Sequence, residues 1–170
     1  CAEYELGFTA EGKAVAVEGE ILTKYEKGDD YGMKKYGKAE KEWFEQIDAL
    51  VGVIKGKTLD EVKALVATEG KGSDAVVNAG CTITVADYIK AVEEAITNAK
   101  ESAATEGNTL KIGTVSTQST PKDATDEGDG TNEIDTSITA AVLDKDNKVV
   151  AAYTDAVQVK ATFNKKGEFT

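Results

Sequence analysis

Three groups of residues in this 170-residue chain have the types and spacing to do chemistry. Asp123, Asp126, Glu127, Asp129 and Glu133 crowd one glycine-containing stretch, and carboxylates so gathered are the oxygen ligands Ca²⁺ prefers. A calcium-loop frame beginning at Asp123 puts Gly128 at the sixth place, where the turn needs it, but puts Ile134 at the twelfth, which has to be acidic. The stretch therefore reads as a solvated acidic loop, and no metal site is expected. Cys1 and Cys81 are the only thiols, too few for a four-thiolate zinc site or a disulfide framework, and the sequence leaves open whether they pair. Cys81 stands just ahead of a helical pattern, where an exposed thiol is acidified; burial as a small hydrophobe is the commoner fate. Thr82 and Thr84 bring hydroxyls to the same place, and capping of the following helix is their simplest use.

Composition removes other chemistries. There is no His, and all 20 basic residues are Lys against 31 acidic ones, giving a net charge of -11. Imidazole acid–base catalysis, His-ligated metals and a Ser-His-Asp triad are excluded within the chain. Without Arg there is no bidentate reading of phosphate or guanine, and the negative charge repels a nucleic-acid backbone. No nucleic-acid partner is expected, nor is an enzyme. No apolar run approaches the roughly 18 to 20 residues that cross a bilayer, so no transmembrane segment is expected.

The elements that would position these groups change period along the chain. Tyr4, Leu6 and Phe8 alternate as in a half-buried strand. Ala10 to Lys13 reads as a turn around Gly12, Ala14 to Val17 as the returning strand, and Glu20 to Tyr25 as a further extended piece. Trp43, Phe44, Ile47, Leu50, Val51 and Ile54 then recur at three- and four-residue spacing, predicting one helix closed by Gly56. Trp43 lies in that stripe and is expected in the core, the alternative being a ligand pocket shared with Tyr31 and Tyr36. Thr58 and Glu61 form a capping box for a short helix burying Val62, Leu65 and Val66. After Gly70 and Gly72, Ser73 to Ile83 becomes β-branched towards its end. Thr84 and Asp87 resemble a second box, for a helix burying Val85, Ile89, Val92 and Ile96 and running to about Lys100. From Thr109 the period is two: Leu110 to Thr117, then Ile134 to Val142, then Val149 to Phe163 after the hairpin signal Asp144 to Asn147. Thr120 to Asn132 between them reads as a surface loop. Helices and strands are segregated, so the expected class is α+β, with an antiparallel sheet.

The ends repeat each other. Phe8, four residues further Gly12, and Lys13 match Phe163, Gly167 and Glu168, with Tyr4 over Val159 and Leu6 over Ala161, all at an offset of 155. The expectation is a single domain over 1–170, with a helical half at 20–100, a β half at 109–170, and equivalent terminal strands at 1–15 and 156–170. It is circularly permuted relative to the repeat, with the terminal strands contesting one place in the sheet. A strand left over would pair with copies of the chain or with adjacent repeats.

Reordered with 109–170 first, the chain resembles repeats of surface lipoproteins of Gram-positive anaerobes. The residues that carry this are Asp144 to Val150 with Asp155, Lys27 to Lys35, Lys41 to Gln46, and Gly56 to Thr58. Asp74 to Thr84 is similar to the flavin-attachment region of the FMN-binding domain family, whose fold the resemblance implies. In flavinylated members an acidic residue precedes a run of small residues ending in a Thr that carries FMN by a phosphoester. Here Asp74 matches the acid and Thr82 the acceptor, while Asn78-Ala79-Gly80-Cys81 departs from the run. The site would place a hydroxyl at a strand-to-helix junction, where helix amides favour a phosphate. The departures lead us to expect no cofactor, with FMN on Thr82 as the alternative. The function expected is a non-catalytic structural or interaction module of the bacterial surface; the alternative is an extracellular electron-transfer domain. Cys1 is either a lipid-bearing first residue or merely where the chain starts, and the strand pattern beginning at once favours the second.

Overall fold

A computed structural model describes residues 6–99 and 101–170. It groups them in two compact units: residues up to Thr23 together with Ser102–Thr170, and Lys24–Glu101. The first unit holds the sheet and the second the helices, the segregated α+β class read from the sequence.

In the helical unit the elements are α1 (Lys24–Lys27), α2 (Met33–Gly37), α3 (Trp43–Ile54), α4 (Leu59–Lys63), α5 (Asp74–Asn78) and α6 (Ala86–Thr97). The apolar spacing of α3 and α6 points Leu50, Val85 and Ile89 into one core with Val62, Leu65, Val76 and Cys81. The capping box at Thr58 forms as expected: Glu61 N–H donates to Thr58 Oγ1, and Thr58 N–H donates to Glu61 Oε2 at 2.8 Å. Burying these side chains stabilises the unit by about 1.5 to 3 kcal/mol each.

Several local expectations are corrected. Asp74 to Asn78 is helical, because Gly72 leaves room for Val76, Ser73 O accepts from Val76 and Val77 N–H, and Gly80 at φ +99 ends the turn. Thr84 caps nothing: it bridges Lys71, and Val85, whose N–H donates to Gly70 O, precedes α6. Ile96 is 45% exposed and Val51 43%, so both stripes are narrower than their spacing suggests. The extended reading of Glu20 to Tyr25 fails at its end, where α1 begins. The expected end near Lys100 falls outside the described residues.

In the sheet unit, β1 (Thr109–Gln118), β2 (Gly130–Leu143) and β3 (Val149–Phe163) form an antiparallel meander with β2 in the centre. Asp144 to Asn147 makes the hairpin, Asn147 taking φ +58, which Asn tolerates better than most residues. In β2 the register places Asn132, Ile134, Thr136, Ile138, Ala140 and Val142 on one face. Phe163 is fully buried on that face, its ring over Gly130, where any side chain would collide with it.

The two terminal segments do not contest one place. Tyr4 and its neighbours lie outside the described residues, and residues 7–15 form a small hairpin held by the Phe8–Ala14 bridge, separate from the sheet strands. That hairpin and the turn after β3 belong to the same unit and face each other. A side chain on Gly12 would stand 2.6 Å from Asn164 O, and one on Gly167 2.6 Å from Thr9 O. Since 9 and 164 share the 155-residue offset, the contact is reciprocal, and both glycines have positive φ (+70 and +68), as an open left-handed turn requires.

Candidate functional site

Thr82 is exposed, in the segment between α5 and α6. Its amide and its hydroxyl both donate to Gln46 Oε1, at 2.9 and 3.1 Å, and Gln46 Nε2 donates to Lys41 O at 3.1 Å. Gln46 is buried on α3, so one side-chain amide ties this loop to the helix. Asp74 is exposed at the start of α5 and shares no hydrogen bond with Thr82 among the described residues. Thr82 lies four residues before α6, whose approach is taken by Val85. Burial pushes the Cys81 thiol above its ordinary value, and the residue is a free cysteine in the core.

Tyr25, Trp43, Phe44 and Tyr88 of the helical unit form one aromatic group in which Trp43 is half-buried, so it is not the core residue its spacing predicts. Trp43 Nε1 donates to Tyr88 Oη at 3.1 Å, and its ring meets Tyr25 edge-on at 6.3 Å. Tyr25 Oη donates to Asp48 at 2.5 Å, and that hydrogen bond raises the phenol above its ordinary value. These polar tips satisfy one another.

The acidic loop is pinned rather than open. Asp123 Oδ1 accepts from Ala14 N–H at 2.9 Å, Asp126 pairs with Lys165 at 2.7 Å, and Lys122 bridges Thr131. No group of carboxylates among the described residues is arranged to hold a metal ion.

The sheet surface is the largest chemically distinctive feature. On one face β1 contributes Leu110 and Ile112, β2 Ile138, Ala140 and Val142, and β3 Ala151, Tyr153, Val157 and Val159. The opposite face carries Lys111, Glu133, Asp135, Ser137, Thr139, Thr154, Gln158 and Lys160, knit by Gln158 Nε2 donating to Asp135 at 2.8 Å and by the Thr139–Thr154 hydroxyl pair at 2.9 Å. At one end the apolar face is covered by the hairpin of residues 7–15. Asn132 Nδ2 donates to Gly7 O and Val15 O, and Gln118 Nε2 donates to Val15 O and Asn132 Oδ1. At the other end Leu110 and Ile112 are 61% and 69% exposed, and Tyr153 67%. An open groove of about 650 Å³ runs beside β3, between Leu6 to Phe8 and Val159 to Thr162, closed by Phe169 and Thr170.

Sequence reasoning missed Asn132, Gln118 and Gln46 as organising residues. Their signal was a polar residue at an inward position of an apolar pattern. Fold and surface together define an α+β protein with a sheet polar on one face and apolar on the other. No protein-family model matches the chain, and comparison with curated proteins and with solved structures likewise gives no match. Among the described residues no helix is long and apolar enough to cross a membrane.

Proposed function

We propose that this chain is a non-catalytic structural or interaction module of a bacterial cell surface. The observation that supports this best is the exposed apolar end of the sheet face, where Leu110, Ile112 and Tyr153 stand in water. Contiguous exposed apolar area of this kind is a mark of association rather than of chemistry. The surface location, the repeat setting and the FMN-binding-like, permuted fold rest on the resemblance of Asp144 to Val150, Lys27 to Lys35 and Asp74 to Thr84 to surface-lipoprotein repeats. Terminal segments that pack on their own equivalents suit a repeat or an assembling subunit.

The rival reading places FMN on Thr82 and makes the chain an electron-transfer domain. Intact mass and visible absorbance of protein taken from its native cells separate the two. An unmodified mass, no flavin band and labelling of intact cells by an antibody to the chain are the expected results. A flavin adduct on Thr82 would overturn the structural reading.

A further inference from the structure

We propose that the end of the sheet around Asn132 and Phe163 is a socket for a β-hairpin, which takes the 7–15 hairpin of a second copy of this chain as well as its own. This names a partner for the proposed interaction module and rests on that reading.

What the socket recognises is mainly backbone. Asn132 Nδ2 donates to Gly7 O and Val15 O, and Gln118 Nε2 donates to Val15 O. Ala124 N–H donates to Gly12 O at 2.8 Å, and Asp123 Oδ1 accepts from Ala14 N–H at 2.9 Å. Each of these bonds ends on the main chain of the hairpin. Phe8 adds its ring, stacked on Phe163 and edge-on to Phe169. Main-chain bonds together with a pocket for one side chain are how a site takes an extended segment from another chain.

The two ends of the chain set which segment fits. The hairpins 7–15 and 162–170 carry the same internal bonds at the 155-residue offset. Thr9 N–H donates to Lys13 O as Asn164 N–H does to Glu168 O, and Val15 N–H to Gly7 O as Thr170 N–H does to Thr162 O. Their charges differ: Glu11 stands where Lys166 does, and Lys13 where Glu168 does. Pairing like with like gathers equal charges around the contact, whereas the first hairpin on the second brings opposite ones together. A contact between copies therefore repeats the one within the chain, the 7–15 hairpin of one on the socket of the other. Such a contact is heterologous.

The connection leaves room for the exchange. Residues 18–22 are in neither helix nor strand, Glu18, Gly19 and Glu20 are exposed, and Gly19 takes φ +86. A short tether holds a hairpin at its own socket at an effective concentration on the order of mM, so exchange belongs to crowded copies.

Sedimentation velocity and thermal unfolding of two full-length variants, apart and mixed, test this. Gly12→Asn sets a side chain against Asn164 O of the socket, and Gly167→Asn sets one against Thr9 O of the hairpin. Asn tolerates the positive φ of either turn. Each variant blocks the contact within its own chain and between its own copies. Mixing leaves one combination open, the hairpin of the Gly167→Asn chain on the socket of the Gly12→Asn chain. The expected result is two monomers of lowered melting temperature that join one to one when mixed. Asp123→Ala, at an exposed position, should weaken the complex about tenfold when added to the Gly12→Asn chain, and not when added to the other. Circular dichroism shows that the variants are folded. Should either unfold, Gly12→Ala with Gly167→Ala carries the same test, since a Cβ alone stands 2.6 Å from each carbonyl.

Variants that do not join, a complex formed by either one alone, or a complex indifferent to which chain carries Asp123→Ala overturns the proposal. Variants that stay apart while the native chain is flavin-free and surface-labelled remove the exchange and leave the structural reading intact. Variants that join while the native chain carries flavin on Thr82 do the reverse.

Discussion

The rings of Phe8 and Phe163, residues 155 positions apart, lie parallel at 4.4 Å between centroids and 7° between planes. Phe169 meets Phe8 edge-on at 4.8 Å, so three rings close the end of the sheet. Phe163 is fully buried and Phe8 is its lid.

Phe163→Ala should cost about 3 to 5 kcal/mol, the usual range for a buried aromatic. A double-mutant cycle with Phe8→Ala should return a coupling of about 0.5 to 1.5 kcal/mol beyond lost area. Deleting residues 1–15 should lower the melting temperature rather than leave the fold undisturbed, since it uncovers Phe163 and takes two acceptors from Asn132. Urea unfolding checks the first two and thermal unfolding the third, and additive single mutants would remove the stack as a cause.

Thr82→Ala should cost on the order of 1 kcal/mol, the hydroxyl bond to Gln46 being lost while the amide bond stays. Gln46→Ala should cost about 2 to 3 kcal/mol, because it strands Lys41 O and Thr82 N–H together. Neither change should alter the visible spectrum. Equal effects of the two variants on thermal unfolding would show that Gln46 is not the tie between α3 and the loop.

Trp43→Phe should cost about 0.5 to 1.5 kcal/mol, the share of the indole bond to Tyr88. Because Trp43 is only half-buried, Trp43→Ala should fall below the roughly 3 to 5 kcal/mol of a fully buried aromatic. Chemical denaturation followed by circular dichroism measures both, and a cost above that range for Trp43→Ala would return the residue to the core.

The capping box predicts a pH dependence. Glu61 is held below its ordinary value of 4.5 by the N–H of Thr58 and then by its hydroxyl. A depressed folded-state value means the unfolded chain binds the proton more readily. Its contribution is therefore complete above about pH 4.5 and is lost as the pH falls through the folded value. The stability gap between wild type and Glu61→Ala should narrow on acidification from pH 6 to pH 3. A gap that does not change over that range would mean the carboxylate is not the capping group.

Much of the fold was legible because local signals agreed with the long-range pattern. Asp144 to Asn147 between two alternating runs gave the β2–β3 hairpin, and Thr58 with Glu61 gave the start of α4. Where the two conflicted, context won. Ser73 to Ile83 reads as apolar and β-branched towards its end, yet Ser73 starts a helical turn and Gly72 and Gly80 bracket it. Trp43 shared the spacing of Leu50 but lies at the first turn of α3, where the ring meets Tyr25 and Tyr88. The repeat was readable as a repeat; that its copies would face each other depends on three-dimensional placement that no spacing encodes. For the Thr82 region, the hydroxyl was legible but its partner was not, because Gln46 is 36 residues away.

Asn132 makes the hairpin over the sheet a matter of length. A single amide group reaches the carbonyls of Gly7 and Val15, one on each arm, at 2.9 and 3.0 Å. One residue inserted between them turns a carbonyl away, because successive carbonyls along an extended arm point to opposite sides. Side chains at Ala10 and Glu11 are exposed and free to vary, while the number of residues around the turn is not. Among relatives of this chain, gaps should therefore be missing from the turn.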